Sequence, residues 1–207
     1  MQNSPVFKFL ILTTIISLLF TGGCSTSTPS NFFILTPLSS YGIKPVQRGH
    51  DQKFTLGIGP VTIPRHLDRP QIVVRISPNE IKLADFHRWA GSLAHEIPSV
   101  LSENLSILLA TDRITLYPWQ SSMHVNFQIF VDIIQLDGKL GDSITLIARW
   151  RILNQDENKM LVIKKTKVTK TLKADNYQAF VAAESSALAD LCREIAQAVK
   201  TIMNYEL

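Results

Sequence analysis

The chain has little of what staples, threads or metallates a fold. Its two cysteines, Cys24 and Cys192, are too few and too far apart for a disulfide framework. The apolar run Phe9–Phe20 (FLILTTIISLLF) is roughly 18 Å long as a helix, short of a bilayer core of about 30 Å. It suits the apolar segment of a secretory leader rather than a membrane span. Charged residues are 18% of the chain and the formal net charge is only +4. That excess is scattered, which argues against a nucleic-acid footprint. Hydrophobic residues reach 45% of 207, enough to bury a core and to exclude a disordered chain.

Catalytic motifs are missing as well. His95-Glu96 begins like a zinc-protease pair, but the second histidine would fall on Ser99. His50, His66, His87 and His124 stand singly, without metal-ligand spacing. No Gly-x-Ser-x-Gly elbow occurs, and Gly57-Ile-Gly59 lacks the rest of a dinucleotide fingerprint. Asp85 and Glu96 are both acids, but nothing in their spacing pairs them. No metal, cofactor or enzymatic activity is expected.

The N-terminus carries an address. Lys8 precedes the apolar run, and Thr21-Gly22-Gly23-Cys24 follows it, with small residues that admit a peptidase to the bond before the cysteine. Residues 1–23 read as a lipoprotein signal peptide and Cys24 as its lipidation site, the first residue of the mature chain. Each buried methylene of an acyl chain contributes about 0.8 kcal/mol, so two or three chains, palmitate among them, make a permanent anchor. Residue 25 is Ser rather than Asp, which points to the periplasmic face of the outer membrane. Residues 24–30 form the lipidated cysteine and a polar tether, Ser25–Ser30 (STSTPS), spanning at most about 20 Å.

Residues 31–207 read as one domain. Strands are expected at Asn31–Thr36, Phe54–Ile63, Gln71–Ile76, Glu80–Ala84 and Arg113–Tyr117. Val125–Ile133, Ser143–Leu153 and Met160–Thr171 alternate apolar and polar residues and form an antiparallel meander, turning at Asp137-Gly138-Lys139 and Asn154–Asn158. Ser92–Ala110 and Asn176–Met203 repeat apolar residues at helical spacing. The expected class is α+β, a two-layer sandwich of a mixed, largely antiparallel sheet covered by two helices. Cys192 falls on the second helix, as a small buried hydrophobe.

Three features remain open to two or more readings. Lys164, Lys165, Lys167 and Lys170 are either a patch for anionic lipid or an acidic partner, or lysines that blunt a sheet edge. Trp89 and Trp119 suit a core, a headgroup layer or an interface. Pro60–Arg75 (PVTIPRHLDRPQIVVR) suits a recognition loop held by prolines, or a turn locked by an Asp68–Arg69 or Asp68–Arg75 pair.

Ile58–Arg75, Asn31–Pro37 (NFFILTP), Trp89-Ala90, Asn104–Leu109 (NLSILL), Asp137-Gly138, Ala148-Arg149-Trp150 and Ala182–Ile195 together resemble the ABC-type transport auxiliary lipoproteins, the PqiC/YmbA-like group. The chain departs from that pattern at Phe32-Phe33, where tyrosine is common. The resemblance implies a non-enzymatic, outer-membrane-anchored subunit of a PqiABC-like MCE transport system that supports membrane integrity and lipid transport. It implies an MCE-domain (PqiB-like) periplasmic partner and self-association in a ring. Candidate partner-binding residues are Arg65, Asp68, Arg69, Gln71, Arg75 and Trp89. The rival reading is a periplasmic lipid-binding carrier with a cavity between sheet and helices.

Overall fold

The computed structural model describes residues 28–38, 54–119 and 123–206. Cys24, His50 and most of the expected loop at 38–53 lie outside the described residues.

The meander is the strongest element. β6 (Phe127–Lys139), β7 (Ser143–Asn154) and β8 (Lys159–Thr171) pair antiparallel along nearly their full lengths. The alternation in β7 puts Ile144, Leu146, Ala148, Trp150 and Ile152 on one face, each at most 1% exposed. Burial of a large apolar side chain contributes roughly 1.5–3 kcal/mol. β2 (Leu56–Thr62) lies parallel to β6, and β5 (Ile114–Leu116) parallel to β2. The five strands run in the order β5-β2-β6-β7-β8.

Three further strands form a second sheet, in the order β1-β4-β3: β1 (Asn31–Phe33), β4 (Glu80–Trp89) and β3 (Gln71–Ser77). The class is α+β, as the periodicities imply, but the strands divide between two sheets instead of filling one. The proline turn is the physical reason. Prolines lack the N–H a ladder needs, so the chain leaves the large sheet after Thr62 and begins a new one at Gln71.

α1 (Leu93–Leu109) and α2 (Tyr177–Glu206) pack on each other. α1 also lies against β2 and β5, and α2 against β7 and β8. α1 stops at Ala110, whose φ of 53° is left-handed. The buried Asn104 side chain accepts the Leu38 backbone N–H at 2.7 Å and so ties the segment after β1 to α1. Cys192 is buried in the helix pair, its thiol beside the Leu101 carbonyl at 4.0 Å. Burial pushes that thiol up to about 12, the largest of several influences.

Two boundaries differ from the expected ones. β4 runs ten residues, through Trp89, rather than ending at Ala84. The turn expected at Asp137-Gly138-Lys139 lies slightly later: those residues are still in β6, and the chain reverses through Gly141, with φ of 75°. Gly138 is required for packing, since a Cβ there would sit 2.0 Å from the Ser143 carbonyl oxygen.

Candidate docking surface

The segment from Pro60 to Arg75 crosses from one sheet to the other. Its turn is closed by Leu67 donating its N–H to the Pro64 carbonyl and Arg69 donating to Leu67, both at 2.9 Å. Leu67 is buried as the plug of the turn. Asp68, exposed, accepts a hydrogen bond from the Ser92 hydroxyl at 3.0 Å, which joins the turn to the start of α1.

Arg75 pairs with Asp137 rather than with the expected Asp68. Its Nε and Nη2 donate to Asp137 Oδ1 and Oδ2 of β6 at 2.8 and 2.6 Å. Nη1 donates to the Pro78 carbonyl at 2.9 Å. The Asp137 side chain is fully buried, and Gln135 Nε2 donates to it as well, at 2.8 Å. His66 Nε2, from the proline turn, stands 3.9 Å from Asp137 Oδ2. The hydrogen bonds that Arg75 donates to Asp137 raise its guanidinium above its ordinary value. The proline turn and the end of the segment therefore converge on one carboxylate of the large sheet, through His66 and Arg75.

A second acid lies beneath this clamp. Glu184 of α2 is buried, and its Oε2 has no hydrogen-bond partner among the described residues. Desolvation first, then the charge of Asp137, lifts its carboxyl well above the ordinary range. Glu184 follows Val181 by three residues and precedes Leu188 by four, so the helical period places it on the buried stripe. That spacing is the signal by which the sequence announces it. Asp137 offered no such signal, because Asp-Gly reads as a turn.

The remaining candidate residues divide by accessibility. Arg65 is exposed, and Arg69 and Gln71 are half-buried, as is Arg88 of β4, which stands opposite Gln71. The Nε atoms of Arg69 and Arg88 have no hydrogen-bond partner among the described residues. Trp89 is 4% exposed and belongs to the core, and its backbone N–H donates to the Pro70 carbonyl at 2.7 Å. Trp119 is half-buried over Gly57 and edge-on to Tyr117, with centroids 5.3 Å apart.

The lysines of β8 split between its two faces. Lys164 and Lys170 turn toward α2, 3.8 Å from Glu194 and 2.5 Å from Asp190. Lys165 and Lys167 are exposed. β8 is the last strand of its sheet, so its edge carries the charges that discourage pairing with another chain. A groove of about 390 Å³ lies where Ala179, Ala182 and Ser186 of α2 meet Lys170, Lys173 and Arg193.

Comparison with known proteins fits this architecture. The chain resembles a crystal structure of an uncharacterized protein at a TM-score of 0.68 and 16% identity, covering 83% of this chain and 99% of the other. A second crystal structure, of a protein from Xanthomonas campestris, matches at a TM-score of 0.65 and 13% identity, with 86% and 100% covered. At those identities the likeness is one of fold. No curated protein sequence matches the chain. The model of one protein family matches residues 38–196, a span that takes in the proline turn, both helices but for the end of the second, and the whole meander. The chain belongs to the ABC-type transport auxiliary lipoprotein components.

Proposed function

We propose that this chain is the outer-membrane docking subunit of an MCE transport system. Anchored by acyl chains on Cys24 and facing the periplasm, it receives the periplasm-spanning MCE-domain protein at the outer membrane and supports lipid transport between membranes. The observation that carries the reading is the family match over residues 38–196, joined to the lipoprotein-type cysteine a few residues before β1. The role is non-enzymatic, and assembly into a ring of like subunits belongs to the same proposal.

The exposed part of the proline turn, with Arg65 outermost, is the proposed contact for the partner. Arg75 supports that contact from within, because its guanidinium is held by Asp137. The space between the large sheet and the helices is filled by Leu101, Leu105, Trp150, Phe180, Leu188 and Leu191, an arrangement that favours docking over carriage of a lipid in the interior.

The proposal is tested by retaining detergent-solubilised envelope proteins on the tagged full-length chain. Retention of an MCE-domain protein, lost with Arg65→Glu in a folded chain, supports both partner and surface. Retention of no envelope transporter contradicts the docking role.

A further inference from the structure

β1 follows the tether directly and forms the outer edge of the three-stranded sheet. Its Phe32 stands in register with Arg88 of β4, which in turn stands opposite Gln71 of β3. Registered neighbours share a face, so Phe32, Arg88 and Gln71 form one row across the sheet. The other face belongs to the interior. There Phe33 is in register with the buried Trp89, and His87 stacks on Tyr177 of α2 with centroids 3.9 Å apart. Burial first, then the charge of Asp85, raises the Tyr177 hydroxyl. The β3–β4 ladder shifts register between Leu83 and Arg88, but His87, between Phe86 and Arg88, faces Tyr177. That turns those two to the opposite, outward face, with Arg88 in register with Phe32.

That outward face is unusually apolar. Phe32 is 65% exposed and Phe86 43%, and Ile34, just past the end of β1, is 58% exposed. Two aromatics, an aliphatic and an arginine form the combination that settles at a membrane interface. Amphipathic and aromatic groups enter the headgroup boundary, while an arginine extends its charge to the phosphates.

We infer that this face, Phe32, Ile34, Phe86 and Arg88, rests on the lipid surface and fixes the tilt of the domain. The inference rests on the proposed anchor at Cys24. Six tether residues separate Cys24 from β1, and they reach at most about 20 Å, so the patch is confined near the bilayer. A basic side chain among apolar ones complements anionic headgroups. The contact orients the proline turn and its partner surface relative to the membrane, which a lipid anchor at Cys24 alone does not do.

Site-directed spin labelling of the full-length, lipidated chain in vesicles of phosphatidylethanolamine and phosphatidylglycerol tests this. Lipid occupies Cys24, and Cys192 is buried with a thiol raised to about 12, so an introduced cysteine takes the label. Phe32→Cys and Phe86→Cys are read against Ile163→Cys on β8, an exposed site on the other sheet. The expected result is a severalfold rise in accessibility to oxygen over a nickel chelate at 32 and 86, with 163 remaining in water. Chains that float with the vesicles but keep all three labels in water overturn the contact and leave the anchor standing. Spin–spin broadening at 32 and 86 without that rise makes the face an interface between copies, and overturns it too. Chains that fail to float with the vesicles overturn the anchor and the contact together.

Discussion

Arg75 and Asp137 lie 62 residues apart in sequence and on different sheets, yet they are joined by two side-chain hydrogen bonds of 2.8 and 2.6 Å. Asp137 is fully buried and Arg75 partly so, so the bonds form where water competes little. Removing one partner of a buried pair strands the other, at a cost of about 3–5 kcal/mol. Arg75→Ala is therefore expected to lower the unfolding free energy, read from urea unfolding, by that order. The double variant Arg75→Met/Asp137→Leu should recover most of the loss, since no buried charge is left alone. Recovery of none would mean that the pair does not hold the two sheets together.

Glu184 gives stability a distinct pH dependence. Its carboxyl is held well above the ordinary value of 4.5 by burial and then by the charge of Asp137. Above pH 4.5 the unfolded chain releases a proton that the native chain retains. With fewer protons on the unfolded state, stability falls as pH rises, until the native carboxyl itself ionises. Urea unfolding at a series of pH values should show that decline in the native chain and a shallower one in Glu184→Gln. Parallel curves would place the decline elsewhere.

Cys192 should be inert while the chain is folded. Burial raises its thiol to about 12 from an ordinary 9.0, which cuts the reactive thiolate on the order of a thousandfold. A disulfide reagent should modify no thiol in the folded, lipidated chain and one after denaturation. A rapid reaction in the folded chain would show that Cys24 carries a free thiol or that the helix pair opens.

Gly138 tests the register of the meander. A methyl group there meets the Ser143 carbonyl oxygen at 2.0 Å and the Ile144 Cα at 2.4 Å, both backbone atoms that cannot rotate away. Gly138→Ala is expected to cost about 3 kcal/mol, the upper range for overpacking, by thermal or urea unfolding. A neutral substitution would mean that β6 and β7 pair differently around this turn.

What the sequence made legible follows from how local each cause is. Alternation in β7 and helical spacing in α1 and α2 are local, and they marked those elements correctly. The two-sheet division depends on where a chain broken by Pro64 and Pro70 finds new partners, and no local period encodes that. The Arg75–Asp137 pair was hidden for a related reason. Two acids near Arg75 in sequence, Asp68 and Asp85, were visible, while its actual partner sat within an Asp-Gly dipeptide that reads as a turn. Trp89 shows the same limit: a tryptophan suits core and surface alike, and only the packing of β4 puts it inside.

The docking role is tested most directly in intact cells. A photo-crosslinking amino acid at position 65, at the exposed tip of the proline turn, should capture an MCE-domain protein identified by mass spectrometry. The same group at position 163 on β8 should not, and capture from position 65 should fall when Cys24→Ala removes the anchor. Cross-links from position 65 that never include an MCE-domain protein, in a chain that still reaches the outer membrane, would contradict the account.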